Sequence, residues 1–282
     1  MAWQKCDLNA IKNALARLDP VRDARRYAQL TFETRYGLPI FIHALFSVAF
    51  AYNMGDPRIA RVLYREGTGS IVRQTRQRNF ETLVFFGLIY QHGDSAEGQR
   101  IIARMQQIHR HFHIPNELYL YTLATLAVLP RRLSERLASP SGIDPGALEA
   151  QFQLWRRVGG LMGITGIPQT QEAYLDWMLN HEKKHFSHTA DAQAVVQALS
   201  SEWAPKPLQS WAEGLFFALI EPELYGVLGI HPPSRLQALA AQALVRGFIQ
   251  AVRVLPDGPE RSLVQAFGTH LDLQALQRRL GA

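Results

Sequence analysis

The sequence has very little cysteine: Cys6 is the single cysteine among 282 residues, so no disulfide can form within the chain. One unpaired thiol fits a protein of a reducing compartment. The first segment, residues 1–20, also lacks the continuous apolar stretch of a secretory signal. We therefore expect a cytoplasmic location.

Long apolar runs are missing as well. The longest, LPIFIHALFSVAFAY, covers residues 38–52 and contains His43. It is shorter than the roughly 20 residues that a membrane-spanning helix needs. We expect a buried core helix, and peripheral contact of the 38–52 segment with a membrane surface stays open as the alternative.

The chain carries an excess of positive charge but no motif that uses it for nucleic acid. The net charge is +6 and the pI is about 9.6. The arginines are spread along predicted helices, without a helix-turn-helix, zinc-finger or RNP-type pattern. Gly67-Thr68-Gly69-Ser70 connects two predicted helices with no strand before it, so it is not a phosphate-binding loop. We expect no nucleic-acid partner and no nucleotide site.

Helical periodicity is present along almost the whole chain, and no segment alternates like a strand. Proline and glycine separate the periodic segments, and none of these breaks is long enough to be an interdomain linker. The sequence therefore predicts a single all-α domain over residues 1–282. The predicted helices are 7–18, 22–52 with a break near Gly37, 57–66, 69–91, 96–112, 115–137, 145–163, 170–187, 190–202, 208–220, 234–254 and 259–280.

The segment 181–185 reads HEKKH and matches the H-E-x-x-H pattern of zinc hydrolases. Its two histidines are one turn apart and share a helix face. However, both central positions are lysines, and the candidate third ligands, His188 and Glu202, have no supporting motif around them. We expect a surface-facing charged turn, and a zinc hydrolase is the less favoured interpretation.

A different histidine lies on an apolar helix face. In the predicted helix 96–112, His109 falls within the apolar stripe, whereas His111 points away from it. An inward histidine is either a hydrogen-bonded core residue or an axial ligand of haem iron, which requires a neutral imidazole on a rigid helix with apolar walls. The stripe consists of Ile101, Ile102, Met105, Ile108 and Phe112.

The preceding predicted helix carries Arg78 and Thr82 one turn apart, on the same side as Phe85 and Phe86. An inward arginine is costly unless it is paired. Its partner is either an acidic residue elsewhere or a cofactor carboxylate such as a haem propionate. In the second case Thr82 is placed to hydrogen-bond near an iron-bound ligand.

Several stretches, taken in order, resemble one family. They are VLYREGTGSI (62–71), RNFET (78–82), MQQIHRHFHIPNELYLYTLATL (105–126), WRRVGGLMGITGIP (155–168), EAYLDWM (172–178) and EPELYGVLGI (221–230). Their order and spacing resemble the MpaB/latex-clearing-protein (rubber oxygenase) family, also called DUF2236, and more closely its MpaB-type branch. The resemblance covers about residues 20–250.

This resemblance implies an all-helical, globin-related fold that holds haem b. Characterised members of the family cleave carbon–carbon double bonds of isoprenoid chains with dioxygen. By position, His109 corresponds to the proximal iron ligand, and Arg78 and Thr82 correspond to an R-x-x-x-T pair in the haem pocket. The residues expected to wall that pocket are Phe85, Phe86, Met105 and Phe112.

The sequence also departs from the family pattern. Glu81 stands where rubber oxygenases have a lysine that can approach the iron, so the distal ligand stays open. The LYTL of the MpaB-type branch is kept at 120–123, but His181 replaces a tyrosine of its Tyr-Glu pair. We expect a haem-dependent oxygenase that cleaves a double bond in an apolar isoprenoid or lipid-like substrate. Another haem-catalysed oxidation of a small metabolite and a haem-free helical binding protein are the alternatives.

Overall fold

The computed structural model describes residues 9–202, 206–269 and 271, and every regular element in those ranges is helical. The all-α fold class predicted from the sequence is thus confirmed. Within the predicted helix 259–280, residues 259–262 are not helical and residues 263–268 are, whereas residues 270 and 272–280 lie outside the described residues. The helices are α1 (Ala10–Leu15), α2 (Ala24–Ala28), which continues as a π-helical segment (Gln29–Arg35), α3 (Pro39–Asn53), α4 (Pro57–Tyr64), α5 (Ser70–Arg73), α6 (Thr75–His92), α7 (Ala96–His109), α8 (Asn116–Ala127), α9 (Leu129–Ala138), α10 (Pro145–Leu161), α11 (Gln171–His185), α12 (Ala190–Ser201), α13 (Lys206–Ala218), α14 (Tyr225–Leu228) after a 3₁₀ turn (Pro222–Leu224), α15 (Arg235–Val254) and α16 (Leu263–Gly268).

The predicted break near Gly37 is present between the π-helical segment and α3. A Cβ atom on Gly37 would lie 1.8 Å from the carbonyl oxygen of Glu33, so no larger residue fits there. Leu38 is extended, as the residue before a proline prefers to be, and Pro39 begins α3. The helical segments on either side of the break are bent by 112° from each other.

Two predicted helices are each divided in the structure. The predicted 69–91 helix is α5 and α6, separated at Gln74, whose backbone is not helical. The predicted 115–137 helix is α8 and α9, separated at Val128. Pro130 lies just inside α9, where its missing N–H is tolerated, whereas inside a continuous helix it would remove a hydrogen bond. The apolar period crosses both breaks, which is why periodicity alone did not show them.

Helix α3 is a core helix over most of its length. Phe46, Ala49 and Tyr52 are buried, whereas Leu38 and Ile40 at its beginning are exposed. It packs against α6, α8 and α12. In the part of the chain that the structure describes, no single helix is long and apolar enough to cross a membrane. That criterion is met only when two helical segments bent against each other, Ala24–Arg35 and Pro39–Asn53, are counted as one.

Helix α8 is central to the arrangement that surrounds the site. It packs against α3, α9, α10 and α11, while α6 packs against α7, α3 and α16. One continuous cluster of buried apolar side chains joins these helices. The helices that carry the predicted site residues therefore share a core rather than lying on a separate surface.

Glu33 is a fully buried carboxyl group in the π-helical segment. Its Oε1 accepts a hydrogen bond of 2.9 Å from the backbone N–H of Leu263, the first residue of α16. Burial raises the pKa of Glu33 from its ordinary value of 4.5 to about 7, although Leu263 and Gln29 favour the charged form. Because the folded protein holds this proton more tightly than the unfolded chain, stability falls as the pH rises from 4.5 to 7.

We therefore expect Glu33→Gln to stabilise the protein at alkaline pH and not at acidic pH. The amide oxygen can still accept the hydrogen bond from Leu263 and cannot ionise. The gain should be close to zero at pH about 4 and reach up to about 3 kcal/mol at pH about 8. Urea unfolding of both proteins at the two pH values measures it. An equal gain at both values would show that ionisation of Glu33 is not its cause.

Candidate functional site

A cavity of about 750 Å³ lies between α3, α4, α6, α7, α8 and α10. Its size is within the range of small-molecule and cofactor sites. Most of its wall is apolar. The larger apolar side chains contributed by helices other than α6 and α7 include Phe46, Phe50, Leu63, Leu123, Trp155 and Met162.

The structure brings all of the site residues predicted from the sequence to this one cavity. Helix α6 contributes four of them and the α7 segment contributes the others. The ring centroids of Phe85 and Phe86 lie 6.1 Å apart, with the two rings tilted by 56°. The predicted residues that line the cavity are Arg78, Thr82, Phe85, Phe86, Met105, His109 and Phe112.

His109 is the last residue of α7, which ends there rather than at 112 as predicted. Its Nδ1 is buried and has no hydrogen-bond partner among the described residues. Its ring lies 5.7 Å from the ring of Tyr119, which also lines the cavity. Burial, followed by the positive charge of Arg78, lowers the pKa of His109. Both effects favour the neutral imidazole, the form that can donate a lone pair to a metal.

Arg78 and Thr82 are in direct contact. A guanidinium nitrogen of Arg78 donates to Thr82 Oγ1, and the Thr82 hydroxyl donates to the backbone carbonyl of Arg78 at 3.0 Å. The Thr82 hydroxyl thus accepts a hydrogen bond from the Arg78 side chain and donates one to the Arg78 backbone. Glu81 also lines the cavity and accepts a hydrogen bond of 3.1 Å from Gln77.

The polar part of the cavity wall contains three arginines, Arg65, Arg78 and Arg104. Arg65 and Glu66 have positive φ angles of 49° and 55°, so the chain turns sharply after α4. The guanidinium of Arg65 lies 5.7 Å from the centre of the Phe112 ring, within cation–π distance. These cations would suit the carboxylates of a bound group.

A polar patch that the sequence did not reveal lies in the same wall. Thr122 donates to Asn53 Oδ1 at 2.8 Å, and Asn53 Nδ2 donates to Ala49 O at 2.8 Å and to Thr125 Oγ1 at 3.2 Å. All of these side chains line the cavity. In the sequence, the feature that could have indicated this patch is Asn53, a single asparagine at the end of an apolar helix. Tyr119 was likewise missed, although it belongs to the 105–126 stretch that carries the family resemblance.

The HEKKH segment does not form the surface-facing turn that we predicted. His181 is 5% exposed and Glu182 is 8% exposed, and only the two lysines of the segment project into solvent. Glu182 is not part of the cavity wall: its Oε1 accepts from Tyr121 at 2.9 Å and from Arg132 at 2.7 Å. Since this carboxylate is held by Arg132 and Tyr121, it is not available as the general base of a zinc hydrolase.

The chemistry of the cavity fits a haem. Its walls offer a neutral imidazole in His109, aromatic and apolar surface for a macrocycle, and guanidinium groups for propionate carboxylates. The Nδ1 of His109, buried without a partner among the described residues, is a polar atom that the surrounding side chains do not satisfy. No other cavity-lining residue in the described part of the chain carries an imidazole.

The fold and the cavity thus define an all-helical protein with a large, mainly apolar cavity, whose wall includes one imidazole among the described residues. A family model described as the catalytic domain of ER-bound oxygenase mpaB/B′ and rubber oxygenase matches residues 34–254. This match covers more than half of the chain, and the protein belongs to that family of oxygenases. Since the model spans both the mpaB and the rubber oxygenase groups, the closer likeness to the MpaB-type branch stays a prediction.

A solved structure shares the fold. The structure of Latex Clearing Protein LCP in the closed state matches with a TM-score of 0.59 and 15% sequence identity, covering 100% of this chain and 80% of that one. At this identity the match supports the helical, globin-related fold and not the substrate. No curated protein sequence matches the chain.

Proposed function

We propose that this protein is a haem b-dependent oxygenase that cleaves a carbon–carbon double bond in an apolar isoprenoid or lipid-like chain, with dioxygen as co-substrate. Membership of the oxygenase family supports the reaction class. The observation that carries the proposal is the position of His109, a neutral imidazole in the wall of a cavity of about 750 Å³ that is otherwise mainly apolar.

His109 would hold the haem iron through its imidazole. Its place at the end of α7 fixes the ring on a rigid helix, and its lowered pKa keeps the lone pair free at neutral pH. Haem, when bound, supplies the activation of dioxygen, so that the chain needs to hold it, exclude water and position the substrate. The aromatic walls formed by Phe85, Phe86 and Phe112 are suited to all of these tasks.

Arg78, together with Arg65 and Arg104, would form an ion pair with a propionate or a hydrogen bond with another polar group in the cavity. Thr82 holds the Arg78 guanidinium in place, so we propose that it acts first by positioning that cation. To donate instead to a ligand in the cavity, the Thr82 hydroxyl would have to turn away from the Arg78 carbonyl, to which it now donates.

An apolar substrate is favoured because the polar patch in the wall is satisfied internally. The amide and hydroxyl groups of Asn53, Thr122 and Thr125 bond to one another or to nearby backbone carbonyls. They therefore do not require a polar ligand. The remaining wall is lined largely by aliphatic and aromatic side chains, which favour an unsaturated hydrocarbon chain over a charged metabolite.

The test is to incubate the haem-loaded protein with squalene dispersed in detergent and dioxygen, and to analyse the products by mass spectrometry. We expect two carbonyl fragments whose masses together equal the substrate plus one molecule of dioxygen. An anaerobic sample and the His109→Ala variant serve as controls and should give none. A product containing a single added oxygen atom would instead support hydroxylation, and a protein that binds no haem after reconstitution would support a haem-free binding role.

A further inference from the structure

A second cluster of candidate ligands lies outside the cavity, where α8 meets α11. One ligand atom from each of Glu117, His181 and His185 lies within 4.8 Å of the others. None of these residues lines the cavity described above. The two histidines are those of the HEKKH segment, and the glutamate, from the first turn of α8, is a third partner that the sequence did not indicate.

His181 is held rigidly in this cluster. Its ring stacks between Tyr121, at 4.9 Å and 25°, and Trp177, at 5.2 Å and 29°. Its Nε2 lies 3.1 Å from Oδ2 of Asp56, a fully buried carboxylate. If Nε2 donates its hydrogen to Asp56, then Nδ1 keeps its lone pair. A carboxylate that orients a histidine from behind in this way is the usual companion of a metal-binding imidazole.

The balance of charges around the cluster is compatible with a bound cation. Asp56 and Glu117 are both paired with one arginine, Arg58, so two negative charges face one fixed positive charge. Arg58 contacts Oε1 of Glu117, and the carboxylate has a second oxygen with which it can bind a cation. Lys183 and Lys184 are exposed, so their charges project into solvent and not into the cluster.

We propose that Glu117, His181 and His185 form a Zn²⁺ site that joins α8 to α11. Two imidazole nitrogens and one carboxylate oxygen are a ligand set that zinc commonly takes, with water in the fourth position. An open ligand set of this kind is typical of catalytic zinc. However, Glu182, the base that an H-E-x-x-H pattern would supply, is held by Arg132, so we assign the ion the role of joining the two helices and not hydrolysis.

A bound ion here would act on the neighbouring cavity through the backbone. Helix α8 carries Tyr119 and Thr122 into the cavity wall, and α4, which follows Asp56, carries Ile59 and Leu63. Zinc that binds the folded protein and not the unfolded chain should raise the midpoint of thermal unfolding in proportion to the logarithm of its free concentration. It would thereby stiffen the cavity wall without touching a ligand in it.

The experiment is calorimetric titration of ZnCl₂ into the chelator-treated full-length protein, with zinc and iron measured by elemental analysis on the same samples. The wild type should bind about one zinc per chain, and His185→Gln and Glu117→Gln should each weaken binding by roughly 100-fold or more. His188→Gln is the matched control, because this exposed histidine bonds the Val227 carbonyl at 3.3 Å and should keep zinc.

Absence of zinc binding by the wild type would overturn the proposal, and so would wild-type affinity in both ligand variants. Equal unfolding midpoints of wild type and variants in the metal-free state establish that the variants are folded. The two sites are also distinguished by element: His109→Ala should lose iron and keep zinc, whereas His185→Gln should lose zinc and keep iron.

Discussion

Replacing His109 with alanine is expected to abolish the haem binding proposed above: iron should fall from about one atom per chain to nearly none, and the Soret band should disappear. The physical reason is the uniqueness of this imidazole. Among the described residues that line the cavity, only His109 carries one, and its Nδ1 has no protein partner there. Without this imidazole, only apolar contacts and the arginines of the wall would remain to hold the haem.

The matched control for this change is His111→Ala. His111 lies two positions further on, is exposed, and is not part of the cavity wall. It should keep the iron content and the absorption spectrum of the wild type, measured as isolated and after dithionite reduction. Full haem occupancy in His109→Ala, with circular dichroism showing an intact helical fold, would refute the assignment of the axial ligand.

The second large effect is expected at Arg132, which is the centre of a buried ionic network. Its guanidinium contacts Glu182 at 2.7 Å and forms a short contact with Glu221, and it lies 5.4 Å from the centre of the Tyr52 ring. All of the charged groups are largely shielded, with side-chain exposures of 12% for Arg132, 8% for Glu182 and 14% for Glu221. Arg132→Met would leave two buried carboxylates without their cation, and we expect a loss of about 3–5 kcal/mol in the free energy of unfolding.

The neighbouring arginine provides the control. Arg131 also pairs with two glutamates, Glu135 and Glu172, but their side chains are 61% and 67% exposed. Arg131→Met should therefore cost no more than about 1 kcal/mol, since water and salt screen such pairs. Urea unfolding at fixed ionic strength compares the variants. Equal losses in both would mean that burial does not decide the strength of these pairs.

Much of the cavity was predictable because its residues follow a local rule. A period of 3.6 residues places His109 with Met105 and Phe112, and it places Arg78 with Thr82 and Phe85. A helix that buries one face must turn these side chains toward a neighbouring helix. Which neighbour they meet, and that both faces enclose one cavity, did not follow from the period and came instead from the family resemblance.

The helix breaks show where local pattern is insufficient. At Gln74 and Val128 the apolar residues continue in phase on both sides, so periodicity predicts one helix where the structure has two. The helices on either side of each break pack against different partners: α5 against α12 and α6 against α16, and α8 against α10 and α9 against α15. The packing of the whole core decides which partner each helix meets, and this packing can override local helix propensity.

The HEKKH segment was misjudged for the same reason. Its own residues, with two adjacent lysines, suggest a turn that faces solvent. In the structure His181 is buried because Tyr121 and Trp177 stack on it and Asp56 lies 3.1 Å away. Trp177 is one helical turn away, but Asp56 and Tyr121 belong to distant parts of the chain.

The sequence by itself therefore determined the all-helical class, the family and the inward faces of α6 and α7, because each depends on residues within a few turns of one another or on an ordered set of motifs. Only the tertiary structure decided that Asn53 joins Thr122 in the cavity wall, that Arg132 binds Glu182 and Glu221, and that Glu117 lies beside His181 and His185. These contacts depend on how helices that are far apart in the chain pack together. Helical periodicity predicts which face of a helix is buried, but not which residues of another helix lie opposite that face.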